Sequence, residues 1–80
     1  MPNVTLPKIA CVGAGYWGQN LIRNFAELGA LQLICEADQS SLEHFGSLNP
    51  GVGLCQSIET ALRDPDVTGM AIAKIGRAHV

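Results

Sequence analysis

Short apolar runs alternate along this chain with longer stretches whose apolar residues recur at helical spacing, the pattern of βαβ units around a parallel sheet. The first run, 8–12, stops at the cluster Gly13-Ala14-Gly15-Tyr16-Trp17-Gly18. Beyond it Leu21, Ile22, Phe25 and Leu28 fall at i, i+1, i+4 and i+7, one face of a helix that Gly29 ends as a C-terminal cap. The second run, 31–35, closes on Glu36-Ala37-Asp38. Ser40-Ser41-Leu42-Glu43 then reads as a Ser-x-x-Glu capping box, with Leu42, Phe45 and Leu48 behind it, and Asn49-Pro50-Gly51 breaks that helix. A third strand is expected at 52–55, weakened by Gly53. Ser57 caps a short helix carrying Ile58, Ala61 and Leu62, and the turn Asp64-Pro65-Asp66 leads into a fourth run at 67–73.

The glycines bring chemistry into this scheme. Gly13-x-Gly15-x-x-Gly18 lies directly after a strand and opens a helix, the context in which this spacing signals a dinucleotide-binding turn. Gly13 lets the chain turn sharply, Gly15 has no Cβ to block a pyrophosphate, and Gly18 lets the helix lie close to the strand. The unpaired amides of the first helical turn would then face the phosphates. Glu36 stands 21 residues after Gly15 and 18 after Gly18, close to the ~20 at which an acid ending the second strand reaches the adenosine ribose. Its carboxylate accepts from ribose hydroxyls and repels a 2′-phosphate, which favours NAD over NADP. Asp38 is the second choice, its plainer role being a negative charge at the start of the next helix. Tyr16 and Trp17 fill the variable positions, one expected to pack in the hinge between strand and helix and the other over the cofactor or a further domain. Gln19 and Asn20 are open to phosphate or to solvent, while Arg23 and His44 read as helix-surface residues. The expected architecture is α/β: a truncated Rossmann fold, a parallel sheet of about four strands with helices between them.

The stretch 74–80, Lys-Ile-Gly-Arg-Ala-His-Val, breaks the pattern. It matches, residue for residue, the translation AAG ATC GGA AGA GCA CAC GTC of a common short-read sequencing adapter. We therefore expect 1–73 to be a partial dinucleotide-binding domain and 74–80 to be adapter-derived, which removes His79 as a candidate.

Composition narrows the function classes. With 80 residues, 48% hydrophobic and 15% charged, the chain is globular, and one small domain of this length buries only about 60% of its unfolded surface. Five basic against seven acidic residues and four aromatics give no surface for nucleic acid. Nothing approaches the ~20 apolar residues of a membrane span, and 1–7 lacks a leader's layout, so the expected location is the cytoplasm. Cys11, Cys35 and Cys55 lack metal-ligand spacing and read as reduced core residues. The apolar fourth strand, left as an edge, would invite aggregation.

The segment Ile9-Ala10-Cys11-Val12-Gly13-Ala14-Gly15-Tyr16-Trp17-Gly18-Gln19-Asn20, continued by Arg23-Asn24-Phe25 and Leu28-Gly29-Ala30, resembles the opening of the Gfo/Idh/MocA oxidoreductases, in particular the branch that oxidises UDP-activated amino sugars at carbon 3. The resemblance runs from about Lys8 to Ala73. Glu36 replaces the Asp common in that family, and Lys74-Ile75 replaces its Thr-Pro-like turn. The resemblance implies an NAD-dependent oxidoreductase that moves hydride between a sugar or sugar nucleotide and the nicotinamide, in a homo-oligomeric parent. The family's catalytic Lys and His have no counterpart here, so no catalytic residue carries over and the fragment itself is expected to be inactive. A dinucleotide-sensing or purely structural Rossmann module is the alternative, with a methyltransferase a weaker third.

Overall fold

Ile9–Val12 forms β1, the centre of the sheet, because a run of small and branched apolar residues is suited to burial on both faces. The computed structural model describes residues 6–13 and 15–73; the stretch read as adapter-derived, 74–80, lies outside them. In chain order the elements are β1, α1 (Tyr16–Glu27), β2 (Leu31–Cys35), α2 (Gln39–Leu48), β3 (Gly53–Cys55), α3 (Ile58–Arg63) and β4 (Gly69–Ile72). The four strands form one all-parallel sheet in the order β3-β2-β1-β4. Each strand is joined to the next by a helix, so the chain is α/β with the topology of a Rossmann-like fold over its first four strands.

Strand alternation divides the core. Cys11 and Ile34 point to one face, where Ile22 of α1 and Leu42 of α2 cover them, with Leu21, Phe25 and Phe45 packed alongside. Ala10, Leu33, Cys35 and Cys55 point to the other face, which Ala61 of α3 covers. Two helices of 12 and 10 residues thus shield one side, and a helix of 6 shields the other. Thinner cover on that second side shows in Ile58, Leu62 and Ile72, exposed by 41%, 66% and 57%.

Helix ends follow local chemistry. α1 closes in a Schellman arrangement: Gly29, at φ +75, donates its N–H to the Ala26 carbonyl at 3.0 Å, and Ala30 donates to Phe25 at 2.9 Å. Gly29 therefore sits one place beyond the C-cap, Leu28. Leu28 was expected on the buried face but is 64% exposed; it is the C-cap, past the last helical residue, where the chain leaves α1 for β2. Leu48 is 62% exposed as well, because six residues after Leu42 it has rotated about 120° round the helix from the buried position. The expected Ser40 capping box does not form. Asp38 is the N-cap of α2 instead, its Oδ2 accepting from the Ser41 N–H and the Ser40 hydroxyl, both at 2.9 Å. Ser57 caps α3 as expected, accepting from the Glu59 N–H at 3.2 Å.

The strands are shorter than the apolar runs. β3 lacks Val52 and β4 begins at Gly69, since Thr68 uses its N–H and hydroxyl on the Lys8 backbone, just before the ladder begins. Ile34 is fully buried against the two long helices. Ile34→Val is expected to lower stability by about 1 kcal/mol, read as a shift of the urea midpoint at unchanged slope.

Candidate functional site

The strand order reverses beside β1: β2 and β3 extend to one side and β4 lies on the other. Loops leaving the C-terminal ends of β1 and β4 therefore diverge, opening a crevice at the position where ligands bind in open parallel sheets. A cavity of about 450 Å³ occupies this end, lined by Val12 and Gly13 after β1, Cys35 to Ala37 after β2, Gln56 and Ile58 after β3, and Ile72 and Ala73 after β4. Its volume falls in the ordinary range of small-molecule sites.

Gly13 is the pivot. Its φ is +94, and a Cβ there would stand 2.7 Å from the Ala73 carbonyl oxygen, so both conformation and space demand glycine. Its N–H donates to the Cys35 carbonyl at 2.8 Å, while the Ala73 N–H donates to Val12 at 2.9 Å. The turn is thereby tied to the ends of both neighbouring strands. Gly18, buried in the first turn of α1, approaches the Gly13 carbonyl so closely that an added Cβ would collide with its oxygen. Gly15 is the N-cap of α1 in extended conformation and offers no side chain to its amides. The first-turn N–H groups of a helix have no intrahelical acceptor, so α1 starts beside the crevice with backbone donors and the positive end of its dipole.

Three glycines, two aromatics and two acids are expected here from the sequence. The structure brings Gly13 and Glu36 to the cavity wall and seats Gly15 and Gly18 at the adjoining start of α1. The side chains of Tyr16 and Trp17, expected in the hinge and over the cofactor, lie outside what is described. Glu36 is half-buried, its N–H donating to the Cys55 carbonyl at 2.9 Å and its Oε2 accepting from the Asp38 N–H at 2.8 Å. Asp38, the second acid, is exposed and committed to capping α2. Its carboxyl is held below the ordinary range, chiefly by the Ser41 backbone N–H and further by Ser40.

Gln56 and Ile58 are among the wall residues that were not anticipated. Gln56 donates from Nε2 to the Ala37 carbonyl at 3.0 Å, bridging the loops after β3 and β2. A lone Gln after a weak strand carries no sequence signal for this. Gln19, Asn20 and Arg23 line a separate hollow of about 400 Å³ between α1 and the end of α2, and Asn20 Oδ1 accepts from Arg23 at 3.4 Å. Neither amide lines the strand-end cavity. His44 is on the exposed side of α2, edge-on to Phe45 with centroids 4.9 Å apart. All three cysteines are free and buried, and among the described residues no cluster of His, Cys, Asp and Glu could hold a metal ion. Nor, among those residues, is any helix long and apolar enough to cross a membrane.

Comparison with family models, curated proteins and solved structures finds no match to this chain.

Two experiments test the local reading. Gly18→Ala gains up to ~1 kcal/mol of helix propensity yet forces α1 off the end of β1, at an overpacking cost of about 1–3 kcal/mol; a lower melting temperature is expected. The pH profile of stability should fall at both ends. Asp38 favours its ionised form on folding, so its contribution is present above the ordinary 3.8 and lost as pH drops through the lower folded value. Burial pushes the Cys11 thiol from 9.0 up to about 11. Burial, then the hydrogen bond with Cys55, push Cys35 to about 12. These thiols favour the protonated form, so their contribution is complete below pH 9.0 and fades as pH rises toward 11 and 12. Urea midpoints across pH should show Asp38→Asn flattening the acid limb and Cys11→Ala the alkaline one.

Proposed function

We propose that this chain is the nucleotide-binding portion of an NAD-dependent oxidoreductase, holding the dinucleotide across the crevice between β1 and β4. The observation that carries this reading is the junction at Gly13: a positive-φ glycine with no space for a Cβ, followed by a helix whose first amides have no side-chain cap. Such a start accepts a diphosphate without steric conflict and with a favourable dipole. Glu36, on the wall of the same cavity, is suited to the ribose hydroxyls, and its negative charge disfavours a 2′-phosphate. In this reading the Asp38 N–H, bonded to Oε2, helps to orient the Glu36 carboxylate, which has acceptor sites for the ribose hydroxyls as well.

The dinucleotide, when bound, supplies hydride transfer. This chain's residues bind and orient it: Gly15 admits the phosphates, Glu36 fixes the sugar, and Ile58 and Ile72 give the cavity apolar wall. The resemblance to the Gfo/Idh/MocA oxidoreductases supports a sugar or sugar-nucleotide substrate in the intact protein, and no catalytic residue is assigned to this chain. The second reading, a sensing or structural module, rests on the same turn and differs in predicting no turnover in the intact protein.

Calorimetric titration of the full chain with NAD and with NADP tests the proposal. NAD should bind the more tightly. Gly15→Val is expected to abolish binding with the fold retained by circular dichroism, because Gly15 is extended and needs no glycine-only backbone conformation. Glu36→Ala should erase the preference between the two dinucleotides. An unchanged NAD affinity in Gly15→Val would overturn the phosphate site.

A further inference from the structure

Cys35 and Cys55 are direct register partners across β2 and β3. Both side chains point to the α3 face, within one buried cluster and exposed by only 3% and 8%. The Cys55 Sγ lies 3.5 Å from the Ser57 carbonyl oxygen, to which its S–H donates. Adjacent strands run about 4.8 Å apart, inside the roughly 4.4–6.8 Å between Cα atoms that a disulfide spans. Cys11, the remaining cysteine, packs on the opposite face of the sheet.

Two core thiols in contact could simply fill space, and a buried thiol is normally inert. What distinguishes this pair is access. β3 is a three-residue strand at the sheet edge, bonded to β2 alone, with Gly53 and Leu54 exposed, and short edge elements open at low free-energy cost. Opening β3 bares Cys55, and reclosing returns it to Cys35.

We propose that Cys35 and Cys55 are a reversible thiol–disulfide site, closed by exchange with a small-molecule disulfide such as oxidised glutathione. Exchange starts at Cys55. Its thiolate attacks one sulfur of glutathione disulfide, forming a mixed disulfide and expelling one glutathione thiolate. The Cys35 sulfur, having lost its proton to solvent, then attacks the Cys55 sulfur of that mixed disulfide, forming the Cys35–Cys55 bond and expelling the second glutathione. Two electrons pass from the protein thiols to the glutathione disulfide, and the two released protons appear on the two glutathione molecules. Cys55 stands on the three-residue edge strand and Cys35 on the inner strand β2, which sets the order of events. This site is independent of the dinucleotide reading and stands if that reading fails.

The test uses the full chain, incubated natively with oxidised glutathione, quenched with N-ethylmaleimide and cut after glutamate. Cleavage at Glu36 and Glu43 puts Cys35 and Cys55 on different fragments. The expected product is those two fragments joined, lighter together by two hydrogens and separated again by reduced glutathione. Cys11 should be alkylated only after denaturation, and Cys11→Ala should form the same link. Three results would overturn the proposal: stable single glutathione adducts that never resolve, links that run through Cys11, or both thiols still reduced under conditions that oxidise the urea-unfolded chain.

Discussion

The arrangement depends on one absence of volume, the missing Cβ atoms where the end of β1, the start of α1 and the end of β4 converge. Gly13 meets the Ala73 carbonyl and Gly18 meets the Gly13 carbonyl, backbone against backbone. Side chains at either position would push α1 outward or β4 away, and with them the two walls of the crevice. Packing and site are therefore one constraint here. The contact that seats Ile22 against the sheet also sets the first turn of α1 beside the cavity.

Element order and sheet class were legible in the chain because apolar runs and helical spacing are long-range enough to survive local exceptions. The exceptions are instructive. Ser40 and Glu43 satisfy the spacing of a capping box, yet Asp38 sits two residues earlier with a carboxylate that reaches both Ser40 and Ser41. A charged acceptor capping two donors outcompetes a hydroxyl capping one. Leu28 and Leu48 are exposed for geometric reasons that apolar spacing does not carry: Leu28 is the C-cap, past the last helical residue of α1, and Leu48 has rotated off the buried face of α2.

The site was legible in a more limited sense. Spacing alone brings Gly13 and Glu36 to one cavity, since a glycine after the first strand and an acid after the second must share a sheet end in any parallel β1–β2 pair. What spacing cannot carry is competition for the acid. Glu36 has a backbone donor of its own, the Asp38 N–H two residues on, and such local bonds depend on a turn conformation that no pattern of residue types encodes. Gln56 and Ile58 escaped for the complementary reason, as their place in the wall comes from the register of a three-residue strand.

These local bonds link into a continuous run. The Cys55 carbonyl takes the Glu36 N–H, the Glu36 carboxylate takes the Asp38 N–H, and the Asp38 carboxylate takes the Ser41 N–H. The end of β3, the loop after β2 and the start of α2 are thus held by bonds in series, each fixing the group that makes the next. A ligand that engages Glu36 meets a carboxylate whose Oε2 is already held by the Asp38 N–H, so the loop that carries Asp38 helps to position the acid. The same series starts at Cys55, which places the thiol pair at one end of the run that positions the acid. A covalent link between Cys35 and Cys55 would fix the two strands flanking Glu36 at the point where its N–H is already held. The edge strand least able to hold itself is therefore the one on which the geometry of the cavity wall most directly depends.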